Sequence, residues 1–278
     1  MKKAKQHDTT RIKRILRPLG IAVGVACVLL TLGFVDRATG STPISEVVVK
    51  VQGQEGVHFI DEAAVRRAIL DQGIAVLGAP SGEVDLAGIE ERLTGIPCVA
   101  SAQVYHDLDG ALHVNVRQRQ PVVRVLNADG TSFYIDQEGW TMPLDADYAA
   151  RVPVATGWLQ EPGAVNGVYN VHADDSIAGA TRSDDIHRLA LFLHRDPLWR
   201  ALIDQIVVTA DGEFELVPTV GNNRILLGDG SGLEQRFAKL RLFYAEGMPK
   251  ADWRRYARID LRFNDQVVCT KRNNPNDL

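Results

Sequence analysis

Ile96–Arg117 reads IPCVASAQVYHDLDGALHVNVR. Two apolar runs flank Asp109-Gly110, a dipeptide that strongly favours a tight hairpin turn. In the second run Leu112, Val114 and Val116 alternate with His113, Asn115 and Arg117, so one face is buried and the other wet. Upstream, Glu46–Val51 (EVVVKV) is β-branched and predicts a strand. A helix is predicted from Asp61, whose carboxylate can cap exposed backbone N–H groups, with Ala64, Val65, Ala68 and Ile69 as its apolar stripe. A shorter helix follows Asp85, with Leu86, Ile89 and Leu93 on one side and Glu90, Glu91 and Arg92 turned to solvent. The order β-α-α-β-β over residues 44–118 predicts a small α+β domain, with both helices hiding the apolar face of a three-stranded sheet.

Downstream, Pro121 cannot donate to a ladder and fits the beginning or edge of a strand. Phe133–Trp140 (FYIDQEGW) predicts a strand and turn, and Val152–Gly157 a short strand. Residues 158–181 are rich in Pro, Gly and Asn and predict a loop. Ser183 opens a helix carrying Ile186, Leu189, Ala190 and Leu193, and strands follow at Ile203–Thr209, Glu213–Pro218 and Arg224–Gly228. Ser231 and Glu234 have the spacing of a capping box, ahead of a stripe of Leu233, Phe237, Leu240 and Tyr244. Two closing strands are predicted at Ala257–Phe263 and Gln266–Thr270. Residues 119–272 are therefore expected to form a mixed α/β domain built on an antiparallel sheet, with 273–278 as a polar tail.

Leu19–Val35 (LGIAVGVACVLLTLGFV) carries no charge and approaches the ~20 apolar residues that a membrane-spanning helix needs. Ahead of it stand seven basic residues against Asp8, so residues 1–18 are expected to stay in the cytoplasm and the chain after Asp36 to be exported. A cleaved signal peptide shares this charge pattern, but Phe34-Val35-Asp36-Arg37 offers no small-x-small cleavage site. Residues 36–43 read as a linker. The N-terminal tail carries +6 and the whole chain −4, which leaves −10 on the remainder and argues against nucleic-acid binding there. Of three cysteines, Cys27 lies in the apolar stretch. Cys98 and Cys269 can pair in an oxidising compartment, but isolated cysteines are more often buried thiols.

The series Ile96–Val125, Phe133–Trp140, Arg151–Gly157, Leu227–Gly247 and Ala257–Phe263, behind a signal anchor, resembles the bacterial cell-division family FtsQ/DivIB across essentially the whole chain. The resemblance implies a POTRA domain and a second, β domain after a single N-terminal span. It implies a non-enzymatic divisome scaffold in the inner membrane at the septum, with its bulk in the periplasm. Such proteins hold the small bitopic proteins FtsB and FtsL, which join septal peptidoglycan synthesis, through the late helix and final strands of the β domain. The family's D-L-R-Y is here Asp260-Leu261-Arg262-Phe263, with Phe263 in place of tyrosine. The following turn, Asn264-Asp265-Gln266, lacks a glycine, and a tryptophan found late in some members falls at about Lys271. Partner contact is accordingly expected at Arg258, Arg262, Phe263, Val267 and Val268.

By periodicity alone Ile259, Leu261 and Phe263 share a buried face and Arg258, Asp260 and Arg262 an open one. An arginine fork there suits a partner carboxylate, whereas Lys239 and Arg241 on the late helix read as a solvated face. Asp174-Asp175 and Asp184-Asp185 are paired acids, and His187 and His194 lie on a predicted helix. Adjacent acids at loop and helix starts usually cap or solvate. No HExxH, nucleophile elbow, P-loop or zinc-type cysteine spacing is present, so neither catalysis, cofactor nor metal is expected. The alternative is a POTRA-type periplasmic chaperone or transport accessory protein. Those usually carry several POTRA repeats and a C-terminal barrel, and this sequence shows one unit and no barrel-like series.

Overall fold

The computed structural model describes residue 24 and residues 41–53, 56–71, 76–162, 167–173, 181–250 and 256–272. Residues 1–18, the acids at 174–175, the tail at 273–278 and, Gly24 apart, the apolar stretch 19–35 lie outside them. Among the described residues no helix is long and apolar enough to cross a membrane. The contacts divide into two units, one drawing on segments up to Val51, Glu62–Thr94 and Ser101–Val116, the other on Gln52–Asp61, Gly95–Ala100 and the chain from Arg117.

The first unit is built on β1 (Glu46–Gln52), α1 (Glu62–Leu70), α2 (Leu86–Thr94), β2 (Val99–His106) and β3 (Ala111–Gln118), a few residues at the strand ends counting with the second unit, with sheet order β1-β3-β2. Alternation puts Val47, Val49, Leu112, Val114 and Val116 in the core, where Val65 and Ile69 of α1 and Ile89 and Leu93 of α2 are also buried. Asp85 starts α2 by accepting from the Gly88 N–H at 2.9 Å. The Asp-Gly turn forms as expected: Gly110 sits at φ 85°, and a Cβ there would meet the Pro43 carbonyl at 2.5 Å. Asp107 closes the turn, accepting from Ala111 N at 2.8 Å and lying 3.1 Å from His113 Nε2. The His113 contact, followed by the backbone N–H of Ala111, holds its carboxyl below the usual range.

Among the described residues the second unit has one nine-stranded sheet. Its strands are β4 (Pro121–Leu126), β5 (Ser132–Asp136), β6 (Thr141–Pro143), β7 (Val154–Gly157), β8 (Ile203–Val208), β9 (Phe214–Pro218), β10 (Arg224–Gly228), β11 (Tyr256–Asp260) and β12 (Val268–Lys271). Their order is β12-β11-β10-β9-β8-β7-β4-β5-β6. The expected antiparallel sheet is in fact mixed, because β4/β7, β7/β8 and β10/β11 pair in parallel. Parallel neighbours need a crossover. The sequence between β7 and β8 holds α3 (Ser183–Arg195) and α4 (Pro197–Leu202), and α5 (Leu233–Leu242) lies between β10 and β11.

The three helices cover one face of this sheet. Ile186, Leu189, Ala190 and Leu193 of α3, Trp199 of α4, and Leu233, Phe237 and Leu240 of α5 form one buried cluster with Ile206, Leu216, Ile225 and Ile259. The alternate residues, Arg224, Arg258 and their neighbours, face outward. The short α4 had no counterpart in the sequence reading; Asp196 caps it, accepting from Leu198 N at 2.9 Å.

One helix starts where expected, at Ser183, and the late helix starts without its expected capping box. The N-terminus of α3 is capped by Glu161, whose carboxylate accepts from the N–H groups of Arg182 (2.8 Å) and Ser183 (3.0 Å) and from the Ser183 hydroxyl (2.5 Å). The capping box at α5 does not form: Gly232 is the cap residue at φ 58°, without a side-chain cap. Ser231 instead donates its N–H and hydroxyl to Asp229 Oδ1, at 3.0 and 2.8 Å, with the carboxylate two residues away outcompeting the helix N–H groups.

Candidate functional site at the sheet edge

Site geometry begins with β11. Ile259 and Leu261 are fully buried, as the alternation requires. The strand ends at Asp260, and Phe263 is 46% exposed. Periodicity therefore misplaces Phe263: once the ladder stops, the two-residue repeat no longer dictates a face. Leu261 N–H still reaches back to the Leu226 carbonyl at 3.0 Å, and the chain turns after it.

Lys239 of α5 holds this turn. Its ammonium donates to the carbonyls of Leu261, at 3.1 Å, and Phe263. Arg241 pairs with Asp196 and lies over the Trp199 ring, 5.2 Å from its centroid. The two cations read from sequence as a solvated face are thus both engaged within the chain.

Arg262 is the centre of the charged cluster. Its Nη2 donates to Asp260 Oδ2 at 2.7 Å, its Nε to Asp260 Oδ1 at 3.0 Å, and its Nη1 to Glu213 Oε2 at 2.9 Å. These contacts, Asp260 first, raise its already high pKa and hold the Asp260 carboxyl below the usual range. The role of Glu213 was invisible in the sequence, since it comes from another hairpin.

In the register of β11 with β12, Asp260 faces Val268, Ile259 faces Cys269 and Arg258 faces Thr270. Paired residues share a face. Arg258, Asp260, Val268 and Thr270 therefore lie on the open face, with Arg224 beside Arg258 in the parallel register. Val267 and Cys269 pack toward the helix-covered core, half-buried. The structure thus gathers Arg258, Arg262 and Val268 near the open face of one edge, sets Phe263 on the turn, and turns Val267 inward. Both Cys98 and Cys269 are free thiols, and burial pushes both upward.

The other residues singled out from sequence are occupied elsewhere. Asp185 pairs with Arg182 and Arg188. His187 Nδ1 lies 2.8 Å from His172 Nε2, and His194 Nε2 lies 3.2 Å from the Gln137 amide. Among the described residues no group of three or more His, Cys, Asp or Glu side chains can hold a metal ion.

The edge and its turn lie in a segment that a family profile recognises: one described as FtsQ/DivIB, C-terminal related, matches residues 120–270. The chain belongs to the FtsQ/DivIB family. A POTRA-like domain profile matches residues 44–117. The chain is 29% identical over 227 residues to the cell division protein FtsQ of Rhodothermus marinus, covering 79% of this chain and 76% of that one. It is 24% identical over 201 residues to the FtsQ of Salinibacter ruber, covering 66% and 69%. Membership of FtsQ/DivIB places the chain among cell-division proteins, with a POTRA-like domain ahead of a mixed-sheet domain.

Proposed function

We propose that this chain is a non-enzymatic division-site scaffold that holds small bitopic proteins of the FtsB–FtsL type and links them to septal peptidoglycan synthesis. Residues 1–18 form the cytoplasmic tail, 19–35 the single inner-membrane span, and 36–43 the linker. Residues 44–118 are the POTRA domain and 119–272 the β domain, both in the periplasm, before the tail at 273–278.

The observation that supports this reading is the place of β12 at the edge of the nine-stranded sheet. On its outer side no strand of the described residues supplies hydrogen bonds, so its backbone N–H and C=O groups can template a partner strand. Main-chain pairing would supply much of the affinity. Arg258, Arg262, Phe263 and Val268 would select the partner, and Val267 would hold the strand to its own core.

Photo-crosslinking in cells from residues 258–268 tests the reading. Small bitopic division proteins should be captured, and captured preferentially over positions on β6 at the opposite edge. Capture from β6 alone would overturn the β12 assignment. A reporter fused after Leu278 should be active only in the periplasm; recovery of a soluble protein beginning near Asp36 would overturn the anchor.

A further inference from the structure

Leu108, 73% exposed, and Leu77, 50% exposed, are the most exposed large apolar residues among the described residues of the first unit. Both sit on loops that pack against the segment by which the chain enters that unit. On one side the Ser45 N–H donates to the Gly110 carbonyl at 2.9 Å, which sets the turn carrying Leu108 beside the start of β1. On the other, the Ile44 N–H donates to the Ala79 carbonyl at 2.9 Å and the Gly78 N–H to the Ile44 carbonyl at 2.8 Å. Ser81 N–H also donates to the Thr42 carbonyl at 2.9 Å.

From Thr42 onward the chain is therefore fixed to the fold, and any slack after residue 35 lies in residues 36–41. Fully extended, the steps from Val35 to Ser41 cover roughly 20 Å. A compact domain of about 75 residues is roughly 30 Å across. A tether shorter than the domain it holds keeps the entry end turned toward whatever anchors residue 35.

We infer that Leu77 and Leu108 touch the outer surface of the bilayer, dipping into its headgroup boundary on either side of the entry segment. The inference rests on the proposed span at 19–35. A protein partner would need one continuous patch burying upward of about 1,000 Å². These leucines instead stand apart, one on each side of residues 42–45, as contact with a flat lipid surface allows. Charge does not hold this surface, because Leu108 lies between Asp107 and Asp109. The Asp107 carboxylate is turned back into the hairpin, accepting from the N–H groups of Asp109 and Ala111 and meeting His113. Asp109 opposes an anionic surface, so the contact is apolar and suits neutral lipid.

The test uses the full-length chain, its three cysteines changed to serine, in phosphatidylcholine vesicles containing a nitroxide-labelled phosphatidylcholine. Bimane is attached in turn at Leu77→Cys, Leu108→Cys and, as a control further along β1, Lys50→Cys. All three positions are exposed, so the label leaves the core untouched. Nitroxide should quench the first two about threefold more than the third, which stands roughly 15 Å along the strand from Ser45. Flotation of the vesicles after an alkaline wash reads the anchor separately. A chain that does not float overturns the span and this contact with it. A chain that floats, with equal quenching at all three positions, overturns the contact and leaves the span standing. Quenching at Leu77→Cys and Leu108→Cys that appears only when phosphatidylglycerol is added would assign the surface to charge and overturn the contact as well.

Discussion

Arg262 lies fork-on against Asp260, two residues before it, with Nη2 2.7 Å from Oδ2 and Nε 3.0 Å from Oδ1. Asp260 thereby orients the guanidinium, and Glu213 takes Nη1. Arg262→Glu would set three carboxylates together at this corner. Because Arg262 and Glu213 are both about two-fifths exposed, the intramolecular pairs contribute at most about 1 kcal/mol to folding. Partner capture should therefore fall at least roughly tenfold, the change of a 1.4 kcal/mol contact, while far-UV circular dichroism stays unchanged. Normal capture by a folded Arg262→Glu chain would remove Arg262 from the contact.

Along β12 the N–H groups alternate between β11 and the open edge, so Val268 and Cys269 point theirs in opposite directions. Proline at the edge-facing position should abolish partner capture with the fold retained, since it removes an N–H that the chain itself does not use. Proline at the other position should lower the melting temperature by breaking a bond to β11. If both variants fold and recruit downstream division proteins normally, strand addition at β12 is wrong.

Arg119 Nη1 pairs with Asp136 Oδ2 at 2.9 Å, and the Asp136 side chain is 0% exposed. Asp136 Oδ1 also accepts from the N–H groups of Glu138 and Trp140, at 3.0 and 2.8 Å. Desolvation still pushes its carboxyl up, against the pull of Arg119. Arg119→Met would leave that carboxylate buried without its cation, at a cost of about 3–5 kcal/mol. Urea denaturation reads this directly, and a loss below about 1 kcal/mol would mean that the pair is not what stabilises this corner.

Burial first, then the neighbouring His172, holds the His187 imidazole below its ordinary 6.5. The folded chain thus favours neutral His187, while the unfolded chain takes up a proton as pH falls through 6.5. Stability present above pH 6.5 is accordingly lost as pH falls from there through the lowered folded value. Burial lowers His194 in the same direction. Melting temperature should therefore decline between pH 7.5 and 5, and the decline should be shallower in His187→Gln. An identical slope in that variant would assign the effect to other groups.

Cys98 and Cys269 are free and half-buried. Changing both to serine should cost about 1 kcal/mol each, as ordinary point changes do, and leave division function intact. Loss of function in each single variant, together with a cross-linked species on non-reducing gels, would show a disulfide instead.

Much of the architecture is local and could be read from residue order. Leu112, Val114 and Val116 mark a half-buried strand by their two-residue repeat, and Ile186, Leu189, Ala190 and Leu193 mark a helix by theirs. Gly110 sets the turn because its positive φ disfavours a side chain. At the candidate site, Arg258 lies on the open side of β11 as alternation requires. Phe263 escaped that logic because the ladder had already ended at Asp260.

Tertiary structure decided what depends on groups distant in the chain. Helix α3 is capped by Glu161 rather than by a neighbour in sequence. Lys239 ties down the turn at Phe263, and Glu213 meets Arg262 from a separate hairpin. The order of the nine strands, and with it the exposure of β12, was equally hidden. Periodicity records which face of an element is apolar, because that depends on side chains two to four residues apart. It does not record which neighbour covers that face, because any strand with a matching apolar side satisfies the same pattern. The choice is made only when helices and crossovers close one face of the whole sheet together.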